Sequence, residues 1–445
     1  MARNVEMAVP VRPPDARPMG TSEKLEYAIK TITPMFGGGV EPGKSDLVRV
    51  VRVPEVRGHL RFWWRAIRGQ GLTVSELREK EGQVWGSTDM PSPVVVEVEI
   101  GRSGTAVDWK KQVPNRRGEM EWRVDADNFP GYALFPFQEV NRPGRPPKPR
   151  DKGLAGVEFS LRIWAPDDKK LDVEAAVWAW VNFGGIGART RRGCGALFCK
   201  ACAPPSQDAV KEWFDRNLAL YRTKGPNVEV AWPELRWRPI LHQQSQTPTA
   251  AWVRAVGALG DYRQKPGIGR SSGSGPKPGR SFWPEADSFR ALNSDCADPN
   301  HLPSTTIQPA SPPQFPRALF GLPIVFQLRG EGFGDAIQLQ PAVSDGEKGA
   351  WRTLDRMASP LLLRPLAVGD GTKARAMAML LRAPEPQGVA LKNDNLPDHG
   401  WDATHLKGPH TQRYATSPIR RFSTDVDALS GFFGYLMTSA GFVAL

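Results

Sequence analysis

Phe183-Gly184-Gly185-Ile186-Gly187-Ala188-Arg189-Thr190-Arg191-Arg192-Gly193-Cys194-Gly195 holds five glycines and three arginines in thirteen residues. It joins an apolar run at 171–183 to a short strand-like run at 196–199. Glycine has no Cβ, so the backbone here can turn sharply and a ligand can approach it closely. Such a loop presents successive N–H groups, and neighbouring guanidinium forks suit phosphate oxygens. The spacing is not that of a P-loop, because no Gly-Lys-Ser/Thr follows at the required distance. Nor does Gly184-Gly185-Ile186-Gly187 follow a strand and open a helix, as a dinucleotide fingerprint does. The loop reads as built for a polyanion backbone, RNA foremost. The alternative is a wide turn whose arginines point to solvent.

Working outward, residues 24–33 alternate, with Leu25, Tyr27 and Ile29 on one face and Lys24, Glu26 and Lys30 on the other, the period of a strand. Residues 57–68 read as a helix, 94–100 as a strand with Glu97 and Glu99 outward, and 157–164 as a strand with Phe159, Leu161 and Ile163 on one side. The 171–183 run is an apolar helix with Asp167 or Asp168 as its N-cap. The order β-α-β-β-α-β is the ferredoxin-like unit shared by RNA-recognition folds. Further on, 209–221 and 425–437 read as helices, and 232–241 and 324–328 as strands, while the apolar runs 361–366 and 374–381 fit either state. The expectation is an α+β chain of two ferredoxin-like (RRM-like) domains with long loop insertions, 1–205 and 206–445. Two basic, proline- or glycine-rich loops, 141–152 and 263–280, read either as solvated loops or as segments ordered by RNA.

The whole chain agrees with an anionic partner: 445 residues carry a net charge of +12. Forty per cent hydrophobic content and 15 tryptophans exclude global disorder. No apolar run reaches the length of about 18 residues that a membrane span needs, and residues 1–20 lack a signal-peptide core. The chain reads as cytoplasmic, without a membrane partner. Cys194, Cys199 and Cys202 fall in a C-x4-C-x2-C spacing with Cys296 downstream, which mimics an iron–sulfur ligand pattern. The simpler reading makes Cys194 and Cys199 small buried hydrophobes, and no cofactor is expected.

In the 57–68 helix, Arg57, Arg61, Arg65 and Arg68 fall within roughly 80° of one another at about 100° per residue. Leu60, Trp63, Trp64 and Ile67 form a separate apolar stripe that packs on the sheet. Four like charges on one face repel unless something negative lies against them. RNA phosphates are one solution, and carboxylates from elsewhere in the fold are the other. Catalysis finds little support. His59, His242, His301, His399, His405 and His410 show no zinc spacing, and no paired-carboxylate cluster serves two-metal phosphoryl transfer. His59, as a general base, and Asp46 are the weak candidates for metal-independent RNA cleavage.

Thr33-Pro34-Met35-Phe36-Gly37-Gly38-Gly39, then Val56-Arg57-Gly58-His59-Leu60-Arg61-Phe62-Trp63-Trp64-Arg65-Ala66, and the glycine loop together resemble the repeat-associated mysterious protein (RAMP) superfamily of CRISPR systems. Phe282-Trp283-Pro284-Glu285, the 316–323 segment and Ala358-Ser359-Pro360-Leu361-Leu362-Leu363-Arg364-Pro365-Leu366 extend the similarity into the second half. The resemblance implies a non-catalytic RNA-binding subunit of a type III-B (Cmr) effector complex. Its partners would be crRNA, near the 3′ end, target RNA, and other RAMP subunits. The residues then expected on RNA are Arg57, Arg61, Arg65, Arg68, Gly184, Gly185, Gly187, Arg189, Arg191 and Arg192, with no metal.

Overall fold

The computed structural model describes residues 22–39, 45–46, 49–115, 117–138, 151–226, 230, 232–273, 279–292, 313–326, 337–344, 351–392, 400–406, 418–424 and 427–445. The first unit runs β1 (Ser22–Thr31), α1 (Val53–Arg68), α2 (Val74–Trp85), β2 (Val95–Arg102), β3 (Glu158–Pro166), α3 (Lys170–Phe183) and β4 (Leu197–Phe198). Its sheet has the order β2-β3-β1-β4 with every pairing antiparallel. Buried Phe159, Leu161 and Ile163 alternate with more exposed neighbours along β3, as the sequence period requires. After α4 (Val210–Tyr221), the second unit runs β5 (Ile240–Gln246), α5 (Pro248–Gln264), β6 (Leu361–Val368), β7 (Lys373–Leu380), α6 (Ala428–Ser439) and β8 (Phe442–Ala444). Its sheet order is β6-β7-β5-β8, again antiparallel. Both units therefore trace one path, two interleaved β-α-β crossovers. Between α5 and β6, and between β7 and α6, the chain builds a separate sheet from Ile324–Phe326, Ile337–Ser344, Gly388–Lys392 and Gly400–Asp402, with Trp351–Thr353 alongside. Phe289, Phe315, Phe326 and Trp401 form its own core.

The α3 helix is the centre of the molecule. Val173 and residues 175–183 are all buried, and a helix apolar on every side has protein on every side. It packs on α1 and the first sheet, and on α4 through Trp178 and Trp213, whose ring centroids lie 5.4 Å apart. The second sheet covers another side: Leu362, Leu366 and Val368 of β6 join the α3 core, whereas Leu361, Leu363 and Ala367 join α5 and α6. With both faces covered, every residue of β6 is buried, so the strand is a nearly unbroken apolar run.

Three expectations shift. Residues 232–241 are not one strand: Glu234 bridges Arg382, and β5 begins at Ile240, because Pro233 and Pro239 cannot donate to a ladder. Asp167 and Asp168 lie in a short 3-10 turn, and α3 starts behind Lys169 with no side-chain cap. The helices α2 and α5 were not anticipated, although both carry N-terminal signals: a Thr73/Glu76 capping box, and Thr247 followed by Pro248.

Arg364, on the α3-facing side of β6, is 1% exposed. It donates to the carbonyls of Gly184, Leu197 (3.0 Å) and Pro365 (3.1 Å). Desolvation pushes its pKa down to about 9, yet that leaves it charged at neutral pH beside the C-terminal carbonyls of α3, where a cation is favoured. The Arg364→Met replacement keeps the volume but leaves the Gly184 and Leu197 oxygens without this donor. Each orphaned carbonyl costs about 1–3 kcal/mol, so the urea midpoint should fall with little change in slope. An unchanged midpoint would show that these bonds do not hold the two units together.

Candidate nucleic-acid interface

The glycine loop leaves α3 at Gly184, whose N–H closes on Trp180 O at 2.8 Å. It then runs beside the other glycine-rich segment, residues 34–39. Ala188 N–H donates to Phe36 O at 2.7 Å, and Gly195 N–H donates to Pro34 O at 2.9 Å. Gly187 has φ +81°, and a Cβ there would lie 2.7 Å from Phe36 O, so only glycine permits the approach. The close neighbour that this glycine admits is protein backbone. The N–H groups that a phosphate would seek already face carboxylates: Gly187 N–H meets Glu55 Oε1 at 3.1 Å, and Gly37 N–H meets Asp151 Oδ2 at 3.1 Å. Arg52 Nη2 donates to Gly38 O at 2.7 Å.

The three loop arginines part company. Arg192 is buried and donates to Leu361 O (2.6 Å), Ser359 Oγ (2.9 Å) and Phe320 O (3.3 Å) of the second unit. Its own carbonyl accepts from Trp252 Nε1 at 2.7 Å. Arg191 donates to Ser359 O and lies 5.5 Å over the Phe62 ring. Desolvation pushes both pKa values down to about 10. Arg189 is exposed, with Nε on Ala133 O at 3.1 Å. Its φ of 60° makes it the non-glycine residue with positive φ among the described residues, a strained conformation of the kind that gathers at functional sites.

The α1 stripe has partners from within the fold. Arg61 and Arg65 share Glu81 Oε1 of α2 at 2.6 and 2.5 Å, and Arg65 also lies 4.0 Å over the Trp232 ring. Arg68 meets Asp172 Oδ1 at 2.9 Å. Arg57 donates to Trp85 O (2.9 Å) and Val94 O (3.2 Å). Of the two solutions to the repulsion along this helix, the structure shows internal carboxylates for three arginines. Arg61 keeps the most solvent contact of those three, its side chain 37% exposed.

His59 sits on the glycine-loop side of α1. It stacks on Trp180 (5.8 Å between centroids, 13° between planes) and lies 4.0 Å from Glu55. Its side chain is 24% exposed, yet desolvation by the surrounding protein pushes its pKa down to about 4 and pushes that of Glu55 up. Asp46 accepts Arg49 N–H at 2.9 Å. Cys194, Cys199 and Cys202 are buried free thiols, and no group of three metal-ligating side chains occurs among the described residues. Cys199 is drawn down to about 7 by the Cys202 thiol, whereas burial lifts Cys194 to about 12. His405 Nδ1 lies 2.6 Å from Pro313 O. Cys296, His301, His399, His410, residues 141–150 and residues 274–278 lie outside the described residues. Glu55 in the first turn of α1, its N-cap Arg52 and Asp151 were not among the sequence candidates, because single charged residues carry no period.

Residues 28–198 match the RAMP superfamily. CRISPR system Cmr subunit Cmr1-2 of Pyrococcus furiosus is 27% identical over 183 residues, 38% of this chain and 92% of that protein. Cmr1-1 of the same organism is 29% identical over 155 residues, 33% of this chain and 40% of that protein. The crystal structure of apo Cmr1 from Pyrococcus furiosus superposes with a TM-score of 0.42 at 17% identity, covering 82% of this chain and 89% of that one. A chain of the type III-B Cmr-beta complex bound to cognate target RNA gives 0.40 at 11% identity, covering 86% and 97%. Among the described residues no helix is long and apolar enough to cross a membrane.

The sign of the His59 shift gives a pH test. Its folded pKa of about 4 lies below the ordinary 6.5, so between these values the unfolded chain takes up a proton that the folded chain refuses. Folding stability should fall as pH drops from 6.5 towards 4, by up to about 2 kcal/mol after allowance for partial exposure. The raised Glu55 carboxyl acts in the opposite sense near its own ordinary range. Urea titrations of wild type and His59→Gln across this window isolate the histidine: the variant should lose less stability on acidification. Parallel curves would mean that His59 titrates normally.

Proposed function

We propose that this chain is a non-catalytic RNA-binding subunit of a type III-B CRISPR ribonucleoprotein. On this reading it holds crRNA towards its 3′ end and engages target RNA, beside other RAMP subunits. The observation that carries the reading is the RAMP match across the whole glycine-loop unit, residues 28–198, in a chain similar to Cmr1 proteins. The shared strand order of the two sheets supports two ferredoxin-like domains, divided near residue 205 with α4 packed back onto the first. Phosphate contacts fall to the guanidinium groups that face outward: exposed Arg189, then Arg61 and Arg57 on the α1 stripe. Gly184, Gly185, Gly187, Arg191 and Arg192 shape the loop that presents Arg189, and Arg65 and Arg68 support the stripe from within. Sequence specificity would come from guide–target pairing, leaving the protein to read backbone and shape.

A second reading, a mainly protein-contacting subunit, is favoured by the internal use of Arg191 and Arg192. Salt dependence separates the two, since each phosphate contact releases counterions. Binding of single-stranded RNA should weaken steeply with salt, and Arg189→Ala should reduce the log–log slope by about 1. Arg192→Ala should lower stability and leave the slope of the folded fraction unchanged. A flat salt response in wild type would favour the protein-contacting reading, and cleavage of labelled RNA in EDTA would contradict the non-catalytic one.

A further inference from the structure

Three arginines of the α1 stripe meet carboxylates of the fold, but a second group of arginines mostly does not. Arg192 of the glycine loop is buried, and beyond desolvation it feels the charges of Arg189, Arg263 and Arg191. Arg263 stands on the last turn of α5, and its charge also reaches Arg317. Among the described residues these five arginines make one ion pair, Arg317 Nε to the fully buried Glu285 at 3.1 Å.

Tyr132 joins the arginines of the two units. Arg189 donates to the carbonyls of Ala133 (3.1 Å) and Tyr132 (3.4 Å). Arg263 Nη1 donates to the Tyr132 hydroxyl, and its guanidinium lies 5.5 Å over that ring and 5.8 Å over Phe320. Arg263 Nε is buried with no hydrogen-bond partner. The cations continue beyond α5, where the chain turns and Gly267 N–H closes on Arg270 O at 2.7 Å. Exposed Arg421, from the short helix Pro418–Phe422, donates to Gly267 O and lies 5.3 Å over Phe422. Lys265 is matched by Asp261 at 3.3 Å, whereas neither Arg421 nor half-buried Arg270 makes an ion pair among the described residues.

Charge and geometry select the ligand. Carbonyls and rings fix these guanidinium groups without neutralising them, so they repel one another until an anion lies between them. Arginine forks held in fixed directions suit phosphate oxygens. The cations are strung over three segments rather than gathered in one pocket, which fits a chain of phosphates better than one small anion. Aromatic rings stand among them at Tyr132 and Phe422, the mixture found in sites for single-stranded nucleic acid.

Resting on the RNA-binding reading above, we propose that the backbone of single-stranded RNA runs from Arg189 across Tyr132 to Arg263, Arg270 and Arg421. The second unit then supplies phosphate contacts of its own, and the start of the basic segment 263–280 belongs to the RNA site.

The test measures binding of the intact chain to a twelve-residue uridine oligomer across a salt series. Each phosphate contact on a single strand contributes about 0.7 to the log–log slope, so the double variant Arg263→Gln/Arg421→Gln should lower it by about 1.4. Arg421→Gln alone changes an exposed side chain, and should lower the slope by about 0.7 with thermal unfolding unchanged. Arg162→Gln removes the same charge where Glu26, Glu97 and Glu99 surround the guanidinium, and should leave the slope as it is. A steep wild-type slope that the double variant keeps would overturn the track and leave the RNA reading standing. An equal loss in Arg162→Gln would assign the effect to net charge and would also overturn it. Polyglutamate displacing the oligomer as well as unlabelled RNA does would make the track a site for an acidic protein, again overturning the proposal. No binding of the oligomer would overturn both the track and the RNA reading.

Discussion

Buried guanidinium groups bonded to carbonyl oxygens hold this molecule together across its glycine loop. Arg192 reaches from the loop into the second unit, and Arg364 reaches from the second unit back to the loop and to Leu197. Neither has a carboxylate among the hydrogen-bond partners described above, so the burial of charge is offset by carbonyl dipoles and, for Arg192, by the Ser359 hydroxyl. Such an arrangement tolerates little movement, because a guanidinium fork needs its acceptors in fixed directions. The loop must therefore keep one shape, and glycines with positive φ at 187, 193 and 195 allow it. The arginines and glycines of this stretch constrain each other.

That constraint changes what the loop offers to a ligand. Two of its three arginines and several of its N–H groups are used inside the protein, with Glu55 and Asp151 seated on the amides of the two glycine segments. What faces outward is one strained, exposed Arg189 and the solvent side of the α1 stripe. A polyanion approaching this face meets a small, rigid set of cations on a scaffold braced by α3. On the proposed reading, few contacts in fixed positions suit a subunit that reads backbone geometry while base pairing supplies the sequence information.

The first unit was legible in the sequence because its elements mostly bury one face. The alternation in β1 and β3 and the apolar stripe of α1 each follow from that one-sided burial, and β4 is short but fixed by the loop before it. In the second unit, β6 is covered on both faces, so Leu361-Leu362-Leu363 carries no period that separates strand from helix. The α5 helix mixes alanine, glycine and tryptophan with little contrast between its sides, and its Thr247-Pro248 start was the readable signal. The candidate site was harder. The spacing of Arg57, Arg61, Arg65 and Arg68 predicts a shared face, yet Glu81 and Asp172, which satisfy three of them, lie 16 to 104 residues away in sequence on helices of their own. For Arg191 and Arg192 the acceptors are mostly backbone carbonyls, which no side-chain pattern reports.

If the two units are locked through this joint and the shared core around α3, they cannot melt apart. Differential scanning calorimetry of the intact chain tests this directly. The account predicts one transition whose calorimetric enthalpy equals its van't Hoff enthalpy. Two resolved transitions, or a calorimetric enthalpy well above the van't Hoff value, would show that the units fold independently and that the buried arginines do not couple them.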